Sequence, residues 1–142
     1  MMVTDIEKAL RTDRTIDIIT VGRKSGMRRT TEIWFTNMQG RIIICGTPSS
    51  DGHPGRRRPR DWLANLKANP AFDFCFKESF QIRLPARALE ITEQADRRRI
   101  MGSPETAWYR DQGFSVDELT LGSPIVEVIF LGDYQYLNAE HA

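Results

Sequence analysis

Residues 21–29, VGRKSGMRR, set Arg23, Lys24, Arg28 and Arg29 beside two glycines and a serine in nine positions, with no acid among them. Gly22 and Gly26 let the backbone turn tightly and approach a ligand closely, and the N–H groups of such a turn can form a nest for an anion. Ser25 offers a hydroxyl, and the four cations add charge-assisted hydrogen bonds. These are the parts of a phosphate or carboxylate site, and equally those of a solvated hairpin tip. A second cluster, Arg56, Arg57, Arg58 and Arg60, lies just ahead of a helix whose N-terminus itself attracts anions. Two cationic loops point to a ligand with more than one negative group. The net charge of +1 conceals this segregation: Arg23 to Lys67 holds ten Lys or Arg against three acids, and the remainder holds ten against sixteen.

No nucleophile stands with a base. There is no GxSxG, no serine or cysteine with a plausible histidine, and no defensible acid pair, so a catalytic side chain is not predicted and a cofactor would carry any reaction. Cys45 and Cys75 are far apart without a CxxC pair and read as small buried residues on strands. His53 and His141 lack ligand-like neighbours, so no metal site is expected. At 142 residues, 40% hydrophobic and 27% charged, the chain has the composition of a globular protein. No signal peptide and no membrane-spanning run is visible, which predicts a cytoplasmic protein.

The elements around the basic turn are mostly strands. A helix is expected at the N-terminus, with Thr4 and Glu7 as a capping box and Ile6, Ala9 and Leu10 as its apolar stripe. Residues 15–21 and 30–37 alternate as strands, and Met38-Gln39-Gly40 turns into a third over 41–47. Residues 48–58, with two prolines and two glycines, predict a long loop that is mobile without a ligand and ordered on an anionic tail. A helix follows Pro59, with Trp62 and Leu66 on one face and its end at Asn69 before Pro70. Phe72, Phe74 and Phe76 alternate along the next strand, and Pro85 marks residues 80–91 as an edge or bulged strand. A helix capped by Thr92 carries Arg97, Arg98 and Arg99 as a solvated face. Ser103-Pro104 opens another that Gly113 ends, Ser115 and Glu118 cap a last turn, and 123–134 forms the final strand. The expected architecture is mainly β with helical additions. It is a six-stranded antiparallel barrel in one domain over 1–142, with a lead-in at 1–14, a helical insertion at 92–122, and Phe72, Phe74, Phe76, Ile125 and Ile129 among its apolar residues.

GRKSGMRRT (22–30) on a strand-to-strand turn, followed by WLANLKANP (62–70), resembles the deazaflavin-dependent nitroreductase family. These are split-barrel proteins that use coenzyme F-420 and are relatives of the flavin-binding pyridoxamine phosphate oxidases. The likeness runs from about Thr15 to Lys77. It implies a split barrel in which turn and loop hold the cofactor's phosphate and glutamate tail while the ring lies against the barrel. By position, Lys24 and Arg29 match the family's tail-binding bases, Trp62 and Asn65 match its helix motif, Arg23 and Ser25 share the turn, and Arg57 or Arg58 replaces a family lysine near Pro48. Thr30-Thr31-Glu32 stand where the family has a proline, and Leu63 stands for its tyrosine. The implied reaction is hydride transfer to a quinone, enone or nitroaromatic electron acceptor, by a monomer or homodimer.

Two other ligands remain open at this point: FMN, or another flavin or tetrapyrrole, in the same fold, and nucleic acid on the basic face. No aromatics interleave with the arginines and no nucleic-acid recognition motif is present. Trp108 and Tyr109, on a short helix, are candidates for a lid over a flat substrate or for packing at the barrel end.

Overall fold

A computed structural model describes residues 3–48 and 61–139. Helix α1 (Val3–Thr12) begins one residue ahead of Thr4, which therefore lies inside the helix instead of capping it. Its Ile6, Ala9 and Leu10 are buried against the sheet. The chain then forms β1 (Thr15–Val21) and β2 (Arg28–Trp34), an antiparallel pair in which Thr20 stands opposite Arg29.

The expected single strand over 30–37 is broken. After β2 the chain turns at Phe35 into β3 (Thr36–Met38), which pairs with β4 (Arg41–Cys45) through a two-residue turn. Gln39 and Gly40 both have positive φ, 56° and 93°, the type I′ geometry whose twist matches that of the flanking strands. With β5 (Ala71–Phe76), β6 (Ile82–Glu90) and β7 (Ile125–Phe130) the sheet has seven strands in the order β2-β1-β5-β6-β7-β4-β3, every pair antiparallel.

That order closes the barrel. β2 and β3 occupy opposite edges of the sheet yet are separated in sequence by one residue, and one residue spans at most about 3.6 Å, so the edges must be brought together. Phe35 makes the corner: it is buried, its N–H donates to the Arg14 carbonyl at 2.9 Å, and its ring meets Phe74 edge-on at 5.3 Å. Phe74 also meets Phe76 and Phe130 edge-on, so the interior is an aromatic cluster flanked by Ile16, Ile18 and Leu84.

A second core lies on the other face of β4 and β7. Ile42 and Ile44 point into the barrel, whereas Ile43, Cys45 and Ile125 pack with Ile100, Met101, Tyr109 and Leu119 of the helical segment. That segment comprises α3 (Gln94–Met101), a 3-10 turn (Pro104–Thr106), α4 (Ala107–Asp111) and α5 (Val116–Gly122). Covered on both faces, β4 reads RIIIC without alternation. Ile129 is half-buried, alternating with the buried Val128 and Phe130.

Several local expectations change. β6 is central, but the Pro85 carbonyl accepts from Leu131 N–H just beyond the last β6–β7 pair, Ala86 and Phe130, so the missing donor faces the end of the ladder. Glu93, not Thr92, caps α3, accepting from the N–H groups of Ala95 and Asp96. Arg97 is not part of a solvated face: it is 8% exposed, with its guanidinium bonded to three backbone carbonyls. Cys45 is buried and Cys75 half-buried. The Ser115 and Glu118 capping box and the Gly113 stop, at φ 100°, are present. Of the long loop only Pro48 is among the described residues, so its expected ordering on a ligand lies outside them.

Candidate functional site

The basic turn is a closed six-residue loop, 22–27. Gly22 N–H donates to Met27 O at 2.8 Å, Gly26 N–H to Gly22 O at 2.9 Å, and Met27 N–H to Ser25 Oγ at 3.1 Å. Gly26 sits at φ 70°, where a side chain would be strained. A Cβ at Gly22 would stand 2.7 Å from Ser25 Oγ, so the turn folds tightly on itself there.

Helix α2 (Asp61–Ala68) holds this turn in place. Asn65, 4% exposed, accepts from the Arg23 N–H at 3.0 Å through Oδ1, and its amide donates to Thr20 Oγ1 at 3.5 Å. The two motifs, 22–30 and 62–70, therefore meet through one side chain across 42 residues of sequence. Trp62 and Leu66 are buried in the barrel core. The helix docks by Trp62 and Leu66 and aims Asn65 at the turn.

The cations of the turn divide by face. Arg28 pairs with Asp73 at 3.4 Å on the outer surface of the sheet. Arg29, opposite the buried Thr20, is on the inner face. Lys24 and Arg29 are exposed, and no acid among the described residues pairs with either. Arg23 is exposed as well, beside Asn65. Arg57 and Arg58, with Arg56 and Arg60, lie outside the described residues.

Glu32 is the one carboxylate on β2. It faces outward opposite Asp17, where Lys77 Nζ reaches both, donating to Asp17 Oδ1 at 2.9 Å and to Glu32 Oε2. The bond to Glu32, then that to Asp17, raises the Lys77 pKa above its ordinary value. Glu32 and Asp17 thus share one lysine on the side of the sheet away from Arg29.

At the far end of β2 a cleft of about 310 Å³ opens between Glu32, Ile33 and Trp34, the Cys45-Gly46-Thr47 end of β4, and Trp108 and Tyr109 of α4, with Glu32 its one charged wall. Tyr109 is buried and donates its hydroxyl to the Cys45 carbonyl at 3.2 Å. Trp108 is 42% exposed and meets Trp34 edge-on at 5.1 Å and Tyr109 edge-on at 5.2 Å. Arg14 lies 4.3 Å above the Trp34 ring. The two lid candidates separate: Tyr109 packs, and Trp108 walls the cleft. Arg14 and Thr20 were not legible as site residues, since only the pairing of distant segments gives them their neighbours.

Arg29, Thr31 and Ile33 share the inner face of β2, so the strand leads from the basic turn to the aromatic cleft. Four residues of strand make about 13 Å between the Arg29 and Ile33 positions. The arrangement has anion-binding groups at one end and flat apolar walls at the other.

The family model for F420H(2)-dependent quinone reductase matches residues 4–121. The chain belongs to that family. Its cofactor is coenzyme F-420, and it is an F-420-dependent reductase. FMN, left open above as the cofactor, is set aside by that membership. Solved structures share the fold. A conserved hypothetical protein from Mycobacterium tuberculosis is 17% identical, with TM-score 0.65 over 100% of this chain and 91% of that one. A protein from Clostridium acetobutylicum related to general stress protein 26, of the pyridoxinephosphate oxidase family, is 12% identical, with TM-score 0.61 over 88% and 80%. An FAD-binding protein from Mesorhizobium loti is 10% identical, with TM-score 0.57 over 93% and 91%. At such identities these show a split barrel and nothing finer. No protein of curated function matches the sequence.

The residues present fit the family's cofactor. Lys24 and Arg29 are cations without an acid partner among the described residues, as an anionic tail requires, and the cleft is walled by aromatic rings, as a flat ring requires. Among the described residues no cluster of His, Cys, Asp and Glu could hold a metal, and no helix is long and apolar enough to cross a membrane.

Proposed function

We propose that this F-420-dependent reductase passes a hydride to a small flat electrophile, a quinone being favoured over an enone or a nitroaromatic compound, in the cleft beneath Trp108. When bound, the reduced deazaflavin supplies the two electrons and the hydrogen as hydride. The chain's own residues do the rest. Lys24 and Arg29 hold anionic groups at the turn, Asn65 fixes where the turn stands, and β2 sets the distance to the cleft. Trp34, Trp108 and Tyr109 orient a flat acceptor and keep water from the reacting faces, which this chemistry needs more than a side-chain acid. The observation that carries the reading is the course of β2, with Arg29, which no acid among the described residues pairs, at one end and the aromatic cleft lined by Ile33 and Trp34 at the other. A quinone is favoured because the family is named for it and the walls are flat and apolar.

The test is a titration of F-420 into Lys24→Ala and Arg29→Ala, paired with menadione reduction. Each charge-assisted bond is worth about 1.5 to 3 kcal/mol, so each variant should bind F-420 roughly 10- to 150-fold more weakly, with turnover at saturation nearly unchanged. Arg98→Ala is the control, since Arg98 is exposed and paired only with Asp117. Arg97 cannot serve, because it is buried. Unchanged F-420 affinity in both turn variants removes the turn from the site.

A further inference from the structure

A second cleft, of about 370 Å³, lies between α2, α3 and the start of β7. It opens on the flank of α2 that carries Leu63 and Lys67, the side of the helix away from Asn65 and the basic turn. Arg97 forms part of its wall. The guanidinium donates from Nε to Thr120 O at 2.8 Å, from Nη1 to Ile91 O at 2.7 Å and from Nη2 to Ser123 O at 2.6 Å. All three acceptors are neutral, and they use three of the five N–H donors, leaving one on each terminal nitrogen. Desolvation is the main influence on this group and lowers its pKa, with Glu90 the one charge that opposes it. Glu90 is itself held by Lys67 at 3.2 Å. A buried cation without a carboxylate partner is costly, and it is rarely left so.

Ser123 supplies a separate observation. It lines the same cleft, is 3% exposed, and its Oγ has no hydrogen-bond partner among the described residues. A buried hydroxyl without a partner carries a desolvation penalty that a ligand oxygen would remove. Leu63, Leu121 and Pro124 give the cleft an apolar wall beside the polar Thr92 and Gln94. With Lys67 and Glu90 offsetting each other, the cleft presents one net positive charge, which suits a monoanion better than a phosphate dianion.

We propose that this cleft binds a small carboxylate with an apolar body, the carboxylate accepting from Arg97 and from the Ser123 hydroxyl while the body lies against Leu63, Leu121 and Pro124. It is a ligand site distinct from the cofactor groove and stands independently of the reading given for that groove.

Benzoate is the probe, with benzamide as its uncharged counterpart of nearly the same shape, each titrated into the full chain and followed by backbone amide shifts and calorimetry. Saturable shifts are expected at residues 91–97 and 121–125, with benzamide weaker by about tenfold or more, since it lacks the charge that Arg97 would pair. Ser123→Ala should weaken benzoate by about tenfold while the variant melts no lower than wild type, because the hydroxyl makes no bond that folding needs. The proposal is overturned by the absence of saturable shifts in those segments, by benzamide binding as tightly as benzoate, or by undiminished benzoate affinity in Ser123→Ala.

Discussion

Asn65→Ala tests the joint between the two motifs directly. The side chain is 4% exposed and its Oδ1 is the acceptor for the Arg23 N–H at 3.0 Å. Truncation leaves that amide without its partner in a partly buried position, at a cost of about 1 to 3 kcal/mol. The amide's other bond, to Thr20 Oγ1 at 3.5 Å, is long and adds little. For a chain of this size about 1 kcal/mol corresponds to roughly 3 to 4 °C, so the melting temperature should fall by about 3 to 12 °C. The turn keeps its internal bonds from Gly22 to Met27 O and from Gly26 to Gly22 O, so it should persist as a turn but lose its fixed position against α2. Cofactor affinity then falls through lost preorganisation, by about tenfold, with Lys24 and Arg29 still present. Calorimetry, F-420 titration and amide exchange at Arg23 read the three consequences. Unchanged Arg23 exchange together with unchanged affinity would refute the reasoning, because the bond would then neither protect the amide nor place the turn.

Three further outcomes follow from the geometry. Trp108→Ala should raise the KM for menadione by about tenfold and weaken F-420 by less, since the cofactor is held chiefly by charge-assisted bonds at the turn, which Trp108 does not touch; equal loss of both would move the ring off the acceptor site. Gly22→Ala should weaken F-420 binding and lower stability by about 1 to 3 kcal/mol, because its Cβ would press on Ser25 Oγ at 2.7 Å and on the Met27 carbonyl at 3.3 Å; a variant as stable as wild type would show that the turn yields freely. Burial raises the Cys75 thiol pKa, helped by Asp73 and Asp17 and opposed by Arg83, so its alkylation by iodoacetamide should need higher pH in the native protein than in urea. The same shift contributes stability that is present below the unfolded-chain pKa and lost as pH rises through the folded one. Coincident pH profiles in both states would contradict it.

What the amino-acid sequence determined by itself was everything set by neighbours in the chain. The Ser115 and Glu118 capping box, the Gly113 stop, the buried alternation of Phe72, Phe74 and Phe76, and the glycine-bounded basic turn depend on residues within a few positions of one another, and each is where local chemistry puts it. The resemblance carried by 22–30 and 62–70 is of the same kind, two short patterns read separately. Tertiary structure alone decided what those pieces meet. Residues 30–37 have one continuous β pattern, yet the strand breaks at Phe35 because its two halves pair with β1 and β4 on opposite edges of the sheet. Arg97 sits in a charged run that any local reading leaves in water, and it is buried because three carbonyls from β6's exit and α5 converge on it. Glu32 is a carboxylate inside a basic stretch until Lys77, 45 positions away, pairs with it on the outer face. Asn65 and Arg23 are likewise partners only once α2 docks on β1. Hydrogen bonds and ion pairs are short-ranged in space and indifferent to separation along the chain, so a pairing between distant segments leaves no pattern in either segment alone.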